Sequence, residues 1–163
     1  TLPQQVVAAH GTVDGILNNA GIIQPFVPVA VLDRSAIDRV LDVNLMGTLN
    51  MVKAFLPALL ERPEAHIANV SSMGGFFPFP GQTVYGASKA AVIHMTRHLA
   101  ADLARENINV NGIAPGIFPS KMTAGILDQF EKQLLAKVPR GRIGEPEDMA
   151  GTAIYLASRA SAW

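Results

Sequence analysis

Apolar residues recur along this chain in two alternating patterns, one typical of strands and one typical of helices. Short, nearly continuous apolar runs predict three strands, at residues 13–18, 66–72 and 108–116. The third strand is expected to stop at Pro115 and Gly116, because proline has no N–H to donate and glycine favours a turn. The first strand is expected to end in the run Asn18, Asn19, Ala20 and Gly21.

Apolar residues at helical spacing fill the segments between these strands. They predict one long or two abutting helices over residues 35–60, with Gly47 as the candidate for an irregularity, and a second long helix over 82–105. A helix tail over residues 3–11 is expected to end at Gly11 in a left-handed conformation. A weaker helix is expected over 126–136, and a last one begins near Pro146 with acidic residues in its first turn.

The alternation of strands and helices predicts the fold class. Near-continuous apolar strands joined by helices are typical of a parallel sheet that is covered on both faces. The chain is therefore expected to be one α/β domain over residues 1–163, with no internal repeat and no linker.

Composition narrows the kinds of partner. Hydrophobic residues make up 49% of the chain, the mean hydropathy is +0.26, and 13 Lys and Arg balance 13 Asp and Glu. This balance does not favour a nucleic-acid binder or a polybasic membrane patch, so small, weakly charged or apolar partners are expected. The chain has no cysteine, which fits a reducing cytoplasm. We expect neither a membrane span nor a signal peptide.

Three side chains suggest proton-transfer chemistry. Tyr85 and Lys89 are four residues apart on a predicted helix, so they share one face. An ammonium beside a phenol stabilises the phenolate and lets a tyrosine exchange protons near neutral pH. Ser72 ends a predicted strand, where parallel sheets place their ligands. Strand-end capping would explain Ser72 alone, but together the three residues favour catalysis.

Asn44 lies inside a predicted helix, where asparagine is disfavoured because its amide competes with the backbone. It could be an exposed helix residue, but the apolar residues around it in DVNLMG indicate that it points inward. A buried asparagine needs hydrogen-bond partners.

These motifs together resemble the central and C-terminal parts of a short-chain dehydrogenase/reductase. The matching segments are NNAG at 18–21, DVNLMG around Asn44, NVSSMGG around Ser72, YGASK at 85–89, NGIAPGIFPS at 111–120 and GRIGEPEDMA at 141–150. The resemblance implies a Rossmann-like, doubly wound parallel sheet. It also implies an oxidoreductase that uses NAD or NADP to interconvert a ketone or 3-oxoacyl group and a secondary alcohol.

The resemblance assigns catalytic roles to four residues. Tyr85 would be the general acid/base, and Lys89 would support it and hold the nicotinamide ribose. Ser72 would bind the substrate oxygen, with Ser71 the less favoured serine. Asn44 would hold a water that links Lys89 to solvent.

The resemblance also implies cofactor contacts and assembly. The adenosine ribose would lie near Asn18, Ala20 and Gly21. The nicotinamide would lie along Pro115, Gly116 and Ile117. Its carboxamide would contact Ser120. Residues of about 117–142 would cover the substrate. The helices over 35–60 and 82–105 would form a homodimer or homotetramer interface.

The chain departs from the family pattern in two ways. The fourteen glycines contain no Gly-x-Gly-x-x-Gly, and only residues 1–12 precede the first strand. The N-terminal strands and the last strand of the family are thus expected to be missing, so the chain is either part of a longer enzyme or a poor cofactor binder. A non-catalytic domain for nucleotide sensing or oligomerisation is the rival hypothesis.

Two further patterns leave alternatives open. His94 and His98 could form half of a metal site, but a surface pair is favoured, and no metal is expected. The aromatic residues of GGFFPFPG, at 74–81, could line a substrate mouth or serve packing alone.

Overall fold

A three-stranded parallel sheet organises the chain. The computed structural model describes residues 1–161, with the side chains of Ile126 and Gln129 left out of the description. The strands are β1 (Gly15–Asn18), β2 (Ala65–Val70) and β3 (Ile108–Ile113), in the order β1-β2-β3. Gly15 lies opposite His66, and Ala65 opposite Ile108. The predicted α/β class with a parallel sheet is confirmed.

Six α-helices are described in residues 1–161: α1 (Leu2–His10), α2 (Arg34–Leu41), α3 (Gly47–Leu60), α4 (Thr83–Leu103), α5 (Ala124–Leu135) and α6 (Pro146–Leu156). A π-helical turn, Asp42–Met46, joins α2 to α3 and ends immediately before Gly47, where an irregularity was predicted. Short 3₁₀ turns lie at Val29–Val31, Met73–Gly75, Ala104–Glu106 and Arg159–Ser161.

The helix ends follow the local sequence. Gly11 ends α1 with φ +84°, a conformation that glycine adopts without a steric penalty. Pro146 occupies the first turn of α6, where its missing N–H costs nothing, and the Asp148 carboxylate accepts the backbone N–H of Glu145 at 2.9 Å. Both ends agree with the sequence prediction.

The predicted strands are longer than the observed ones. β2 ends at Val70, and the next two side chains bind outside the sheet: the Ser71 hydroxyl donates to the Lys89 carbonyl, and Ser72 caps the 3₁₀ turn. β3 stops at Ile113, two residues before Pro115. The chain thus leaves the sheet earlier than the apolar pattern suggests.

The core lies between α3 and the sheet. Val52, Phe55 and Leu59 of α3 are buried in one cluster with Ile67 of β2 and Val110 of β3. Burial of each such side chain contributes roughly 1.5–3 kcal/mol. The residues of β2 from Ala65 to Asn69 are all buried, so this central strand is covered on both faces.

The continuous helical run Arg34–Leu60 has 27 residues and is long and apolar enough to pass a length-and-composition test for a membrane span. The sequence expectation of no such run was therefore wrong on that criterion. Core helices of globular domains also pass this test, and Val52, Phe55 and Leu59 of this run pack in the core described above.

Candidate active site

The site lies at the edge of the sheet where the strands end. The segments that follow β1, β2 and β3 meet there, and the first turns of α4 lie beside them. The backbone N–H of Met73 donates to the Pro115 carbonyl at 2.9 Å and joins the segments after β2 and β3. Parallel sheets place ligands at this edge because their strand ends and loops converge there.

A cavity of about 730 Å³ opens at this edge. Ser72, Tyr85 and Lys89 line it, together with Pro115, Gly116, Ile117 and Ser120 from the segment after β3. The volume is in the range of small-molecule and cofactor sites. With Gly21, eight of the site residues that the sequence singled out share one cavity.

Ser72 and Tyr85 converge at Gly74. A Cβ placed on Gly74 would lie 3.5 Å from the Ser72 Oγ and 3.4 Å from Cε1 of the Tyr85 ring. The backbone N–H of Gly74 donates to the Ser72 Oγ at 3.1 Å, which fixes the hydroxyl at the start of the 3₁₀ turn. Ser72 therefore caps the 3₁₀ turn and also lines the cavity.

Gly75 allows this 3₁₀ turn to lie directly on α4. A Cβ on Gly75 would come within 2.9 Å of the Lys89 carbonyl carbon and 3.0 Å of the Ala90 nitrogen. Both atoms belong to the backbone and cannot rotate away. The close approach therefore requires glycine, and it brings the turn that carries Ser72 against the helix that carries Tyr85.

Lys89 is buried beneath the site. It is 3% exposed, its ammonium donates to the Val70 carbonyl at 2.9 Å, and its Nζ lies 5.9 Å from the centroid of the Tyr85 ring. Burial lowers the pKa of Lys89 from its usual value, because desolvation disfavours the charged form. An ammonium carries three donors and the Val70 bond uses one, so two remain for the cavity.

Asn44 projects inward from the π-helical turn and is 1% exposed. Its Oδ1 accepts the backbone N–H of Ile22 at 2.8 Å, and its Nδ2 donates to the Ile22 carbonyl and to the Ser88 Oγ, both at 2.9 Å. The prediction that Asn44 points inward is confirmed by this burial. Because both amide protons are used, the remaining capacity of its side chain is an acceptor position on Oδ1.

The sequence reasoning missed two residues that hold the Tyr85 backbone. The Ser88 hydroxyl donates to the Tyr85 carbonyl at 2.7 Å. The Gln24 Oε1 accepts the Tyr85 N–H at 3.0 Å, and the Gln24 Nε2 donates to the Gly81 carbonyl at 2.8 Å. Ser88 follows Tyr85 by three residues and could have been noticed. For Gln24, the one available signal is a polar residue in the apolar run GIIQPF.

The candidate ribose contacts at the end of β1 and just after it differ from one another. The Asn18 side chain is buried and donates to the Asn69 Oδ1 at 2.8 Å, so it faces a neighbouring strand rather than the cavity. Ala20 is exposed. Gly21 lines the cavity, and a Cβ on it would lie 3.1 Å from the Lys89 Nζ, which shows how close the backbone comes to the ammonium.

The segment after β3 leads into the expected substrate cover. Within residues 118–140, the described hydrogen bonds join positions at most five apart, for example Ser120 and Thr123, whose hydroxyls lie 2.9 Å from each other. The Gly144 N–H donates to the Ile117 carbonyl at 2.9 Å and closes the base of the segment. We call residues 117–144 the cover segment.

The C-terminal base of the cover segment is tied to α6 by an ion pair. The two terminal nitrogens of Arg142 donate to the Asp148 carboxylate at 2.6 and 2.8 Å. These hydrogen bonds hold the pKa of Asp148 well below its usual value. The pair lies at the surface.

The histidine pair and the aromatic run occupy different places in the structure. His94 and His98 form an exposed pair with their Nε2 atoms 3.2 Å apart, and no group of three His, Cys, Asp or Glu residues that could hold a metal was found in residues 1–161. In the aromatic run, Phe79 lines the cavity, whereas Phe76 and Phe77 are exposed.

The chain was compared with known families and proteins. A family model described as enoyl-(acyl carrier protein) reductase matches residues 1–163. The 3-oxoacyl-(acyl-carrier-protein) reductase FabG of Thermotoga maritima is 38% identical over 160 residues, which is 98% of this chain and 65% of that relative. The chain therefore spans slightly less than two thirds of the length of this relative.

Solved structures agree in fold. A gluconate 5-dehydrogenase from Burkholderia cenocepacia, in complex with NADP and tartrate, superposes with a TM-score of 0.93 at 33% identity, over 98% of this chain and 63% of that one. An NAD⁺-bound xylitol dehydrogenase superposes with a TM-score of 0.87 at 30% identity, over 98% and 67%.

Fold and site together define a Rossmann-like α/β domain with a serine, a tyrosine and a lysine at the carboxyl edge of its sheet. With the family match over the whole chain, this protein belongs to the short-chain dehydrogenase/reductase family. The resemblance noted from the sequence is confirmed.

Proposed function

We propose that this chain carries the catalytic site of an NAD(P)-dependent oxidoreductase that interconverts a ketone or 3-oxoacyl group and a secondary alcohol. The observation that carries the proposal is the convergence of Ser72 and Tyr85 around Gly74, with the Lys89 ammonium buried beneath the tyrosine ring. Named relatives are reductases and dehydrogenases that act on such groups, which supports the reaction class.

In this proposal, two hydroxyls bind the reacting oxygen. Tyr85 donates its phenolic proton to the carbonyl oxygen during reduction and takes it back during oxidation. The Ser72 Oγ donates a second hydrogen bond to the same oxygen and stabilises the negative charge that develops there. Its own Gly74 N–H contact keeps the hydroxyl in place without using its proton.

Lys89 and Asn44 support the tyrosine. The Lys89 ammonium stabilises the phenolate electrostatically, and burial strengthens that effect because the local dielectric is low. We assign Asn44 to a proton relay through a water at its Oδ1. That atom and the Lys89 Nζ lie 3.6 and 3.1 Å from the same point, the Cβ position of Gly21, which supports the assignment.

The described residues fit a nicotinamide cofactor. Lys89 has two donors left toward the cavity, and Gly21 and Gly116 line the cavity without a side chain. Pro115 and Ile117 would contact the nicotinamide, Ser120 its carboxamide, and the backbone of 18–21 the adenosine ribose. A bound NAD(P)H supplies the hydride. NADP and NAD⁺ occur in the two compared structures, and the choice between them is left open.

The lining of the cavity favours an uncharged, largely apolar substrate. Ile23, Met73, Phe79, Phe118, Met122 and Met149 surround the site, and Lys89 is the one acidic or basic residue among the described lining residues. A sugar acid needs a cationic partner near its carboxylate, and this proposal assigns Lys89 to Tyr85 and the nicotinamide ribose. We therefore favour an apolar ketone or an acyl chain over a sugar acid.

We also propose that the protein is a cytoplasmic homodimer or homotetramer without nucleic-acid or membrane partners. Met46 and Leu49 of the run Arg34–Leu60 are exposed, which supports an interface on this helix. The absence of cysteine is consistent with a cytoplasmic location.

The decisive experiment is Tyr85→Phe in the full protein. We expect the rate of carbonyl reduction to fall by at least about 10³-fold, because the proton donor is lost. Binding of NADPH and NADH, measured by fluorescence titration, should stay within about threefold of wild type, since the ring and Lys89 remain. Substrates should include a 3-oxoacyl thioester, an aryl ketone and a keto sugar acid.

Thr83→Ala provides a matched control, because Thr83 is exposed and lies on the same helix two residues earlier. This variant should keep the wild-type rate. A Tyr85→Phe rate close to wild type would contradict the mechanism. If the wild-type protein binds nucleotide but turns over none of the substrates, the rival sensing or oligomerising function is favoured instead.

A further inference from the structure

We propose that Gln24 is a positioning residue for Tyr85: its side-chain amide fixes the first turn of α4 and thereby the direction of the catalytic hydroxyl. This inference rests on the role proposed above for Tyr85. Gln24 lies in the segment after β1, 61 positions before Tyr85 in the chain, and its side chain does not line the cavity.

The contacts of Gln24 are buried and bidentate. The residue is 3% exposed, its Oε1 accepts the Tyr85 N–H at 3.0 Å, and its Nε2 donates to the Gly81 carbonyl at 2.8 Å. One planar amide thus holds two points of the turn that leads into α4. Its position is fixed in turn, because Asn44 binds both backbone groups of Ile22, two residues earlier.

The Tyr85 N–H is a group that the helix itself cannot satisfy. α4 begins at Thr83, so Tyr85 is its third residue, and the first four N–H groups of an α-helix have no intrahelical partner. A side chain at the N-cap usually serves such groups, but Gln82, the N-cap of α4, makes no side-chain cap hydrogen bond. Gln24 supplies the missing acceptor from a distant segment.

Glutamine suits this position because it offers both a donor and an acceptor. A carboxylate would serve the Tyr85 N–H but not the Gly81 carbonyl, and an apolar side chain would serve neither. On the opposite side, the Ser88 hydroxyl donates to the Tyr85 carbonyl. Both backbone polar groups of Tyr85 are therefore bound by side chains.

Loss of this anchor should affect chemistry more than binding. A displacement of about 1 Å at a reacting group can cost up to about 10²-fold in rate. Substrate and cofactor contacts made by other segments would remain. We therefore expect kcat to fall while KM changes little.

The test compares Gln24→Met with Thr96→Val in the full protein. Thr96 is a matched control because it is buried in the same helix and also makes two hydrogen bonds, one from Asn69 and one to the Val92 carbonyl. We expect Gln24→Met to lower kcat about tenfold or more, with KM within about twofold. Thr96→Val should keep kcat within about twofold at a comparable loss of stability.

Two further readouts separate positioning from general destabilisation. Amide exchange of Tyr85, followed by NMR, should become at least about tenfold faster in Gln24→Met and stay unchanged in Thr96→Val, because only the first loses the acceptor. Gln24→Glu keeps that acceptor at a helix N-terminus, where a negative charge is favourable, so it should recover part of the lost kcat.

Three results would overturn the proposal. They are an unchanged kcat in Gln24→Met, an equal loss of kcat in Thr96→Val, and Tyr85 exchange that does not respond. If Gln24→Met does not fold, Gln24→Glu decides: its Tyr85 exchange should remain slow. The exchange result does not depend on turnover, so it can fail or succeed separately from the proposed reaction.

Discussion

The first turns of α4 and the cover segment both line the cavity, but they are held in different ways. Around Tyr85, side chains from distant parts of the sequence bind backbone groups: Gln24 to Tyr85 and Asn44 to Ile22. Within residues 118–140 of the cover segment, the described hydrogen bonds join near neighbours. The backbone around Tyr85 is thus held by long-range contacts, whereas the cover segment is held chiefly at its base. Under the proposed function, such a segment would open and close without moving Ser72, Tyr85 and Lys89.

The largest effect is expected at Lys89, in the fixed region. Lys89→Met removes the cation beneath Tyr85, and the rate should fall by about 10³-fold or more. The melting temperature at pH 7 should nevertheless stay equal or rise, because a buried charge is costly and methionine fills a similar volume.

The pH dependence of stability provides a second readout of Lys89→Met. Because burial lowers the pKa of Lys89, the unfolded chain binds more protons than the folded one between that lowered pKa and the usual value of 10.5. The folded wild type therefore gains stability relative to Lys89→Met as the pH rises toward 10.5. Urea unfolding at several pH values measures this, and a constant difference would contradict the assignment.

A smaller effect is expected from adding one methyl group to each region. Gly75→Ala places a Cβ against the α4 backbone, so the Ser72 turn must shift; we expect a loss of about 1–3 kcal/mol and a fall in kcat. Gly144→Ala places a Cβ against the ring of Phe118, and this side chain belongs to the cover segment and not to the α4 backbone. This variant should raise KM and change the unfolding free energy by about 1 kcal/mol or less.

Gly151→Ala is the control for both substitutions, because nothing lies within 4 Å of its Cβ position. In the middle of α6 it should stabilise by roughly 0.5–1 kcal/mol and leave kinetics unchanged. If Gly144→Ala lowers kcat as strongly as Gly75→Ala does, the two regions do not differ as described.

The smallest effect is expected at the surface pair Arg142 and Asp148. Arg142→Met should lower the melting temperature only slightly at neutral pH, because the pair is exposed and screened. The pKa of Asp148 lies below its usual 3.8, so the contribution is present above that value and is lost as the pH falls below it. Calorimetry at pH 7 and at pH 3 should show the difference between wild type and variant becoming smaller in acid.

Much of the fold could be predicted from the sequence because its elements depend on local patterns. The three strands, the helix over 82–105 and the left-handed Gly11 follow from apolar periodicity and from glycine chemistry. The ends of the strands could be predicted less well from the sequence. β2, for example, stops where Ser71 binds the Lys89 carbonyl, a partner 18 residues away.

The candidate site likewise contains residues that could be predicted from the sequence and residues that could not. Ser72, Tyr85 and Lys89 could be identified because short spacings carry the signal, and the structure brings them together in one cavity. Asn18 shares their motif pattern, yet its side chain binds Asn69 in the neighbouring strand. Gln24 was missed because its partners lie 57 and 61 positions away, and a single polar residue in an apolar run does not indicate which groups it binds.

The π-helical turn Asp42–Met46 has a consequence for length-changing mutagenesis. A π turn corresponds to an α-helix with one inserted residue. Deleting one residue between Asp42 and Met46 would thus allow a regular α-helix over the whole run, but it would rotate Asn44 by about 100° relative to one flanking helix. Single-residue deletions here should yield a more regular helix in which Asn44 no longer makes its hydrogen bonds to Ile22 and Ser88. This stretch should therefore tolerate substitutions better than any change in its number of residues.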